Sequence, residues 1–531
     1  MDLRSTFTQP PRQPSTPLCI IPHVSSPLHL YALHVHPADN VAVALRPIPA
    51  NTLYNNLPIT EHIPRGHRFA LRPLAPGELV LQYGQPIGTS AGIAAGQWIT
   101  QDLLRNEVPL TRTLPTQEAP APDYETTIPT FQGFRRADGR AGTRNYILIL
   151  PTSMCSSHEA AQISMMAEFM LYSRDKYPNV DGVVATPHNK GCGCQNGSNL
   201  DVLMRTLAAY AAHPNVGGVV LMDLGCEKTN LTFLDSYLYG ASIDFQKPVA
   251  RIGIQAVGGT ANAIQRGLKA VEDLLPQVNA TARTPIPISE LILGVKCGAS
   301  DSFSGISANP ALGHAADLLV RHRGTVIATE TPEFCGAEHI LASRAKDAKV
   351  AADIYAMVDW YKDFAARAGA TLNENPSAGN VRAGLLNITI KSLGAIAKAG
   401  TTRIEGTMDY AQPPAGKGVW LMQGPGYDQE STPGLIASGA QVVVFTTGMG
   451  STIGNAIAPV IKLASNSDVF HKLATDINLN AGTILEGTET IPQVGRRVFD
   501  SILQVAGGEQ VFAEQHKHRE FQIWGETAVS L

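Results

Sequence analysis

From about Gly133 onward, strand-like runs alternate with helical runs at short intervals. YILILPTS leads into HEAAQISMMAEFMLYSRDKY, VDGVVATPH into LDVLMRTLAAYAAH, and GGVVLMDLG into TNLTFLDSYL; VARIGIQ and TANAIQRGLKAVEDLL follow. Parallel strands need a crossover of a dozen or more residues, usually a helix, and each helical run supplies one. The alternation predicts an α/β fold whose mostly parallel sheets are covered on both faces. A second series starts at Leu291 with LILGVKCG, NPALGHAADLLVRH and GTVIATETPE, then a long helical stretch near 347–368. GVWLMQGPG, PGLIASG, QVVVFTTGMG, APVIKLAS and a final helix near 492–505 continue it. The expected division is one lobe over 131–285 and a second over 286–531, with the break in NATARTPIPIS.

Residues 29–103 have another rhythm. LYALHVH, NVAVALRPI, HRFALRPL and LVLQYGQPIG are short alternating stretches cut by Pro and Gly, the pattern of a small β domain. Residues 104–130 are rich in Pro and Thr without periodicity and read as an extended linker. Residues 1–28 read as a flexible arm. A chain of 531 residues exceeds one hydrophobic core, in keeping with this division. The formal net charge of -4 argues against nucleic acid or an anionic membrane as partner. No apolar run approaches the ~20 residues of a membrane helix, and the N-terminus lacks a signal-peptide pattern. A cytoplasmic enzyme is expected, and a homodimer, since many enzymes of this size are dimers.

Three candidate strands end on a cysteine in a glycine-marked turn: DGVVATPHNKGC, GGVVLMDLGCE and LILGVKCGASD. The cysteines are Cys192, Cys226 and Cys297, with His188, Glu227 and Asp301 nearby in sequence. Ligands of open α/β sheets bind beyond the carboxyl ends of the strands. Thiols with imidazole and carboxylate neighbours there suit Fe, Zn or an iron–sulfur cluster. The alternative is a set of small buried apolar residues, which is also the reading of Cys155. Cys194 makes a C-x-C with Cys192, and Cys19 is a stray thiol in the arm.

Four further clusters stand out. HVHPADN places His34 and His36 two apart, on one face of a strand, before Asp39 and Asn40; EHIPRGHRFAL adds His62 and His67. These imidazoles suit a metal or acid–base chemistry, and Asp39-Asn40 equally suits a hydrogen-bonded turn. KCGASDSFSGISANPALG gathers Lys296, Asp301, Ser302, Ser304, Ser307 and Asn309 before a helix, where backbone N–H groups suit an anion. VVVFTTGMGSTIGN, with Gly448 and Gly450, follows a strand and offers small donors; its spacing fits no dinucleotide fingerprint. ATETPEFCGAEHI carries Glu330, Glu333, Cys335 and Glu338. Those acids can hold a metal, act as bases, or open a helix.

HPADNVAVAL, RGHRFAL, YGQPIG, RADGRAGTRNYILILP, HNKGCG, DLGCEK, KCGASDSFSGISANPALG, TETPEFCGAE, ENPSAGN, KSLGAIAKAG and TTGMGS occur in this order. Together, from about residue 29 onward, they resemble the altronate and galactarate dehydratases. The resemblance implies a small N-terminal β-clip domain of the SAF type, then a large two-lobed α/β dehydratase region. It implies dehydration of a sugar acid to a 2-keto-3-deoxy acid, dependent on a divalent metal, Fe2+ first and Mn2+ second. Position by position, the family's motifs fall on His36, Asp39, Asn40, His67, His188, Cys192, Cys226, Glu227, Lys296, Cys297 and Asp301. One departure is Met449, where the family's TTGRG loop commonly carries Arg.

Such a reaction removes the C2 proton and the C3 hydroxyl, so it needs a base, an acid and something to offset charge on the carboxylate. The expected catalytic residues are His36, His67, Lys296 and Asp301. Arg144, Asn309, Lys391, Gly448 and Gly450 are expected to bind the small-molecule substrate. Cys192, Cys226, Cys297, His188 and Glu227 are the candidate metal ligands, His36 and His67 an alternative pair, and a three-cysteine [4Fe–4S] cluster an alternative cofactor. The alternative activity is a lyase acting on another 2-hydroxy acid such as sulfolactate.

Overall fold

A computed structural model of the chain describes residues 31–526, except 107, 109 and 241–244. The arm expected over 1–28 lies outside the described residues. The N-terminal domain is built from antiparallel strands of two to six residues. Val41–Ala44 lies between Ala32–Leu33 and Arg68–Ala70, and Gln85–Ser90 lies between Leu79–Gln82 and Leu104–Arg105. Leu53–Tyr54 and Leu57–Pro58 form a hairpin whose turn, Asn55-Asn56, takes φ of 50° and 65°. Asparagine tolerates that left-handed pair, which matches the twist of the strands it joins.

The segment 110–129 has no regular structure, and it is bound along the second lobe. Arg112 grips Asp359 through two hydrogen bonds of 2.7 Å. The Ala119 N–H donates to the Lys346 carbonyl at 3.0 Å, and the Glu125 N–H to the Arg321 carbonyl at 2.9 Å. Thr130–Arg135 then pairs antiparallel with Ala141–Gly142 and with Thr284–Pro287, so the strands entering and leaving the first lobe lie side by side.

The first lobe holds four parallel strands in the order Gly182–Ala185, Tyr146–Pro151, Val216–Asp223, Val249–Gly253. The second holds seven: Ile404–Met408, Gly418–Met422, Thr325–Ala328, Ile292–Gly298, Val442–Thr447, Val460–Ala464 and Leu479–Asn480. Every pairing among those seven is parallel. The chain builds outward from Ile292–Gly298 first to one side and later, through Val442–Thr447, to the other. Strand order therefore reverses at Ile292–Gly298, and the crevice beyond its carboxyl end is where such sheets take ligands.

One apolar core joins Val41, Val43 and Ala70 of the small domain to Val295, Leu312 and Val498 of the second lobe. Another joins Leu148 and Leu203 of the first lobe to Leu435 and Phe445 of the second. Among the described residues no helix is long and apolar enough to cross a membrane.

Candidate active site

At the reversal point the central strand ends in Lys296-Cys297-Gly298, and its neighbour Thr325–Ala328 runs on into Thr329-Glu330. Glu330 sits at φ 80°. A non-glycine residue there costs ~1–3 kcal/mol and persists only where its surroundings hold it. Two lysines do so. Lys296 ion-pairs with Glu330 Oε1, and Lys398 Nζ lies 2.8 Å from Oε2. Lys398 also lies 3.3 Å from Cys297 Sγ. Cys297 Sγ in turn is 3.4 Å from Glu333. Lys391 closes the group, 2.8 Å from Glu333 and 2.7 Å from Asn375 Oδ1. Lys296 reaches outward to Asp428, 2.8 Å away, which opens the helix Asp428–Ala437. Glu330, Lys296, Lys398 and Glu333 are buried, whereas the Asp428 side chain is 27% exposed.

Three ammonium groups thus face three carboxylates, and the titrations follow from that. Burial alone pulls Lys296 down, but Asp428, Glu330 and Glu333 outweigh it and hold the lysine above its ordinary value. Lys398 and Lys391 are raised in the same way, against burial, by the anionic groups beside them. Burial, then the Glu330 charge, pushes the Cys297 thiol up. Burial and Glu333 push Glu330 up; Glu333 goes down because Lys391, Lys398 and Lys296 outweigh burial. Two adjacent carboxyls driven apart in this way are the usual mark of divided acid and base roles.

Cys297, Glu330 and Glu333 bring their ligand atoms within 4.8 Å of one another. A thiol with two carboxylates in one buried spot is compatible by donor type and spacing with a metal ion. Each of the three already has a lysine partner, so an ion entering there displaces ammonium contacts and requires the Cys297 thiolate.

The other sequence-derived candidates divide. Cys297, Lys296 and Lys391 come together in this network. Asp301 lies beside it as a structural hub: its Oδ1 accepts from the Phe303 and Ser304 N–H groups and from Ser304 and Ser465 hydroxyls. Its Oδ2 accepts from Asn466 at 3.1 Å. Asn309 bonds the Gly394 carbonyl and the Thr446 hydroxyl. The Gly448 N–H donates to Ala299, and that of Gly450 to Thr447 Oγ1, so neither cradles an anion as expected. Gly448 has no room for a side chain: a Cβ there would lie 2.4 Å from the Asp301 carboxyl.

Arg144 has no N–H group left over for a substrate. All five of its N–H groups are taken, two by Glu514 at 2.6 and 2.8 Å and three by the carbonyls of Thr143, Val505 and Glu509. His67 accepts from Trp98 Nε1 and donates Nε2–H to the Arg382 carbonyl at 3.0 Å, fastening the small domain to the second lobe. Burial lowers its pKa. His36 and Asp39 form a turn in which the Asp39 carboxylate accepts the N–H groups of His36, Tyr83 and Gly84. Neither histidine meets Cys297, Glu330 or Glu333 in a ligand set.

Nor do the five expected metal ligands form one set. His188 is buried with both ring nitrogens engaged, by the Pro151 carbonyl and the Lys190 N–H. The Glu227 carboxylate is filled by Thr152, Ser153, Leu224 and Gly225. Cys192 and Cys226 are exposed in the first lobe, away from the Cys297 group. The sequence reading missed Lys398 and Asp428. Lys391 and Lys398 stand seven residues apart, two helical turns, and that spacing places both on one face.

Three family models cover most of the chain. The "Altronate/galactarate dehydratase SAF domain" matches residues 30–107. The second domain of "D-galactarate dehydratase/Altronate hydrolase" matches 133–279, and "D-galactarate/Altronate dehydratase, C-terminal" matches 288–529. The chain is 35% identical to galactarate dehydratase (L-threo-forming) of Escherichia coli (strain K12), covering 94% of this chain and 98% of that protein. It is 32% identical to altronate dehydratase of Bacillus subtilis (strain 168), covering 93% and 98% respectively. It is also 32% identical to the (2R)-sulfolactate sulfo-lyase subunit beta of Chromohalobacter salexigens, over 74% of this chain and 97% of that subunit. With its SAF domain, second domain and C-terminal domain all matched in order, the chain belongs to the altronate/galactarate dehydratase family of hydro-lyases.

Proposed function

We propose that this protein dehydrates a sugar acid of the altronate or galactarate kind to a 2-keto-3-deoxy acid. The observation that carries this reading is the buried lysine–glutamate network at the reversal point, with a partly exposed carboxylate at its rim. The C2 proton leaves to Asp428, the exposed carboxylate, which Lys296 holds in place. Lys296, held in its charged form by the carboxylates beside it, is the acid; it delivers a proton to the departing C3 hydroxyl, which leaves as water. The enol then becomes the ketone as Asp428 returns its proton to C3 and the C2 hydroxyl gives its proton to Lys296, which restores both groups. Lys391, next to Asn375 near the surface, pairs with the substrate carboxylate. Glu330 and Lys398 lie beneath and replace charge as protons move. When bound, a divalent metal, Fe2+ in the first instance, would be held by Cys297, Glu330 and Glu333 and would supply Lewis-acid stabilisation of the carboxylate.

A lyase acting on another 2-hydroxy acid is the second reading. The sulfo-lyase relative favours it, as does Met449. That side chain is 39% exposed. Its Cε and the Arg382 Nη2 lie 3.8 and 4.0 Å from the Cβ position of Gly379. The test is release of 2-keto-3-deoxy acid from a panel of aldonates, aldarates and sulfolactate, with Fe2+ and then with chelator. Product from a sugar acid, abolished by chelator, supports the proposal. Sulfite from sulfolactate alone overturns it.

A further inference from the structure

Three adjacent strands of the first lobe, Gly182–Ala185, Tyr146–Pro151 and Val216–Asp223, are each followed by a cysteine, two in loops and one in the first turn of the helix Met154–Met170. These are Cys192, Cys155 and Cys226. All three are exposed, although cysteine is among the most buried residue types. Cys155 is not the buried apolar residue its sequence context suggests.

The three segments touch within two residues of each thiol. A Cβ on Gly191 would lie 2.7 Å from Ser153 Cβ. The Met154 N–H donates to the Lys190 carbonyl at 2.8 Å, and Ser153 Oγ donates to Glu227 at 2.9 Å. The bonds that fill Glu227 and His188 therefore serve as a frame, leaving the thiols as the groups free to bind. Cys194 is turned aside, its Sγ 3.7 Å from the Gln195 carbonyl. Strand order reverses between Tyr146–Pro151 and Val216–Asp223, so this too is the end of the sheet where ligands bind.

Thiolates around one zinc ion, each about 2.3 Å from it, lie no more than about 4.6 Å apart. Among the described residues only Cys297, Glu330 and Glu333 form a group within 4.8 Å. The three exposed thiols do not form such a group, which sets aside a single ion held by all three as they stand, whereas a multi-iron cluster bonds each thiol to a different iron. We propose that Cys155, Cys192 and Cys226 hold a [4Fe–4S] cluster at the carboxyl end of the first-lobe sheet, with one iron free of protein thiolate. Assembly takes two ferrous ions, two ferric ions and four sulfides, so no electron is gained or lost; each thiol loses its proton to solvent as its sulfur bonds an iron. Lys190 acts electrostatically on Glu430, which shares the first turn of its helix with Asp428. The inference stands on the thiols and is independent of which acid is the substrate.

The test is iron and acid-labile sulfide analysis of the full chain purified anaerobically, then reconstituted with ferrous and ferric ions and sulfide. About four of each per chain, with a brown visible absorption, is expected. Cys155→Ala, Cys192→Ala and Cys226→Ala are expected to lose most of it, while Cys297→Ala and Cys335→Ala keep it. Iron without sulfide, zinc in its place, loss confined to Cys297→Ala, or no metal after reconstitution overturns the proposal. Should a variant misfold, alkylation of the native protein decides. The three cysteines are to be protected until the cluster is stripped, and labelling before stripping rejects the site.

Discussion

Replacing Glu330 by Gln keeps the shape of the side chain and removes one buried charge. The left-handed backbone cost is the same for both residues and cancels. What remains is a site with three ammoniums and two carboxylates, in which Lys398 loses its carboxylate partner at 2.8 Å and Lys296 keeps only Asp428. Removing one partner of a buried pair typically costs about 3–5 kcal/mol, mostly because the other charge stays buried and uncompensated. Glu330→Gln is expected to be destabilised by that amount, and Lys398→Met by a similar one. The double variant Glu330→Gln/Lys398→Met restores equal numbers of each charge. It is expected to be more stable than the sum of the singles predicts, with a coupling of about 2–3 kcal/mol. Guanidinium unfolding of the four proteins in the presence of chelator measures this. Strict additivity, or a Glu330→Gln protein within about 0.5 kcal/mol of wild type, would refute the charge-balance argument.

Two further outcomes follow from residues outside the network. Burial lowers the His188 pKa from 6.5 to about 4, so the folded protein holds a neutral imidazole that the unfolded chain protonates first. Its stabilisation is complete above pH 6.5 and is lost as pH falls toward about 4, amounting to about 3 kcal/mol. The urea midpoint of His188→Gln should therefore vary less over that window than wild type; parallel curves would count against this. Arg144→Met leaves Glu514 buried without its partner and should cost about 3–5 kcal/mol. Its KM should not change, and a raised KM with normal stability would return Arg144 to the substrate.

Much of the architecture is legible because periodicity is local. The helix Ala308–Arg321 and the strands on either side of it follow from residue spacing alone. Residue chemistry is less local. Arg144, His188, Glu227 and Asp301 look like site residues from their types and motifs, yet each has its hydrogen bonds filled by other groups of the protein. Arg144 is the clearest case, since its partners Val505, Glu509 and Glu514 lie more than 350 residues away.

The sequence by itself determined the α/β class, the small β domain before it, and the cysteines and carboxylates that follow strands. Hydrophobic period and turn residues are properties of neighbours along the chain, so they survive without the fold. Only the tertiary structure decided which strand ends meet. Cys297 joins Glu330, Glu333, Lys391 and Lys398, because strand order reverses at Ile292–Gly298. Cys192 and Cys226 belong instead with Cys155 on another sheet. A thiol's partners are set by sheet order and burial, and those depend on contacts between segments far apart in sequence.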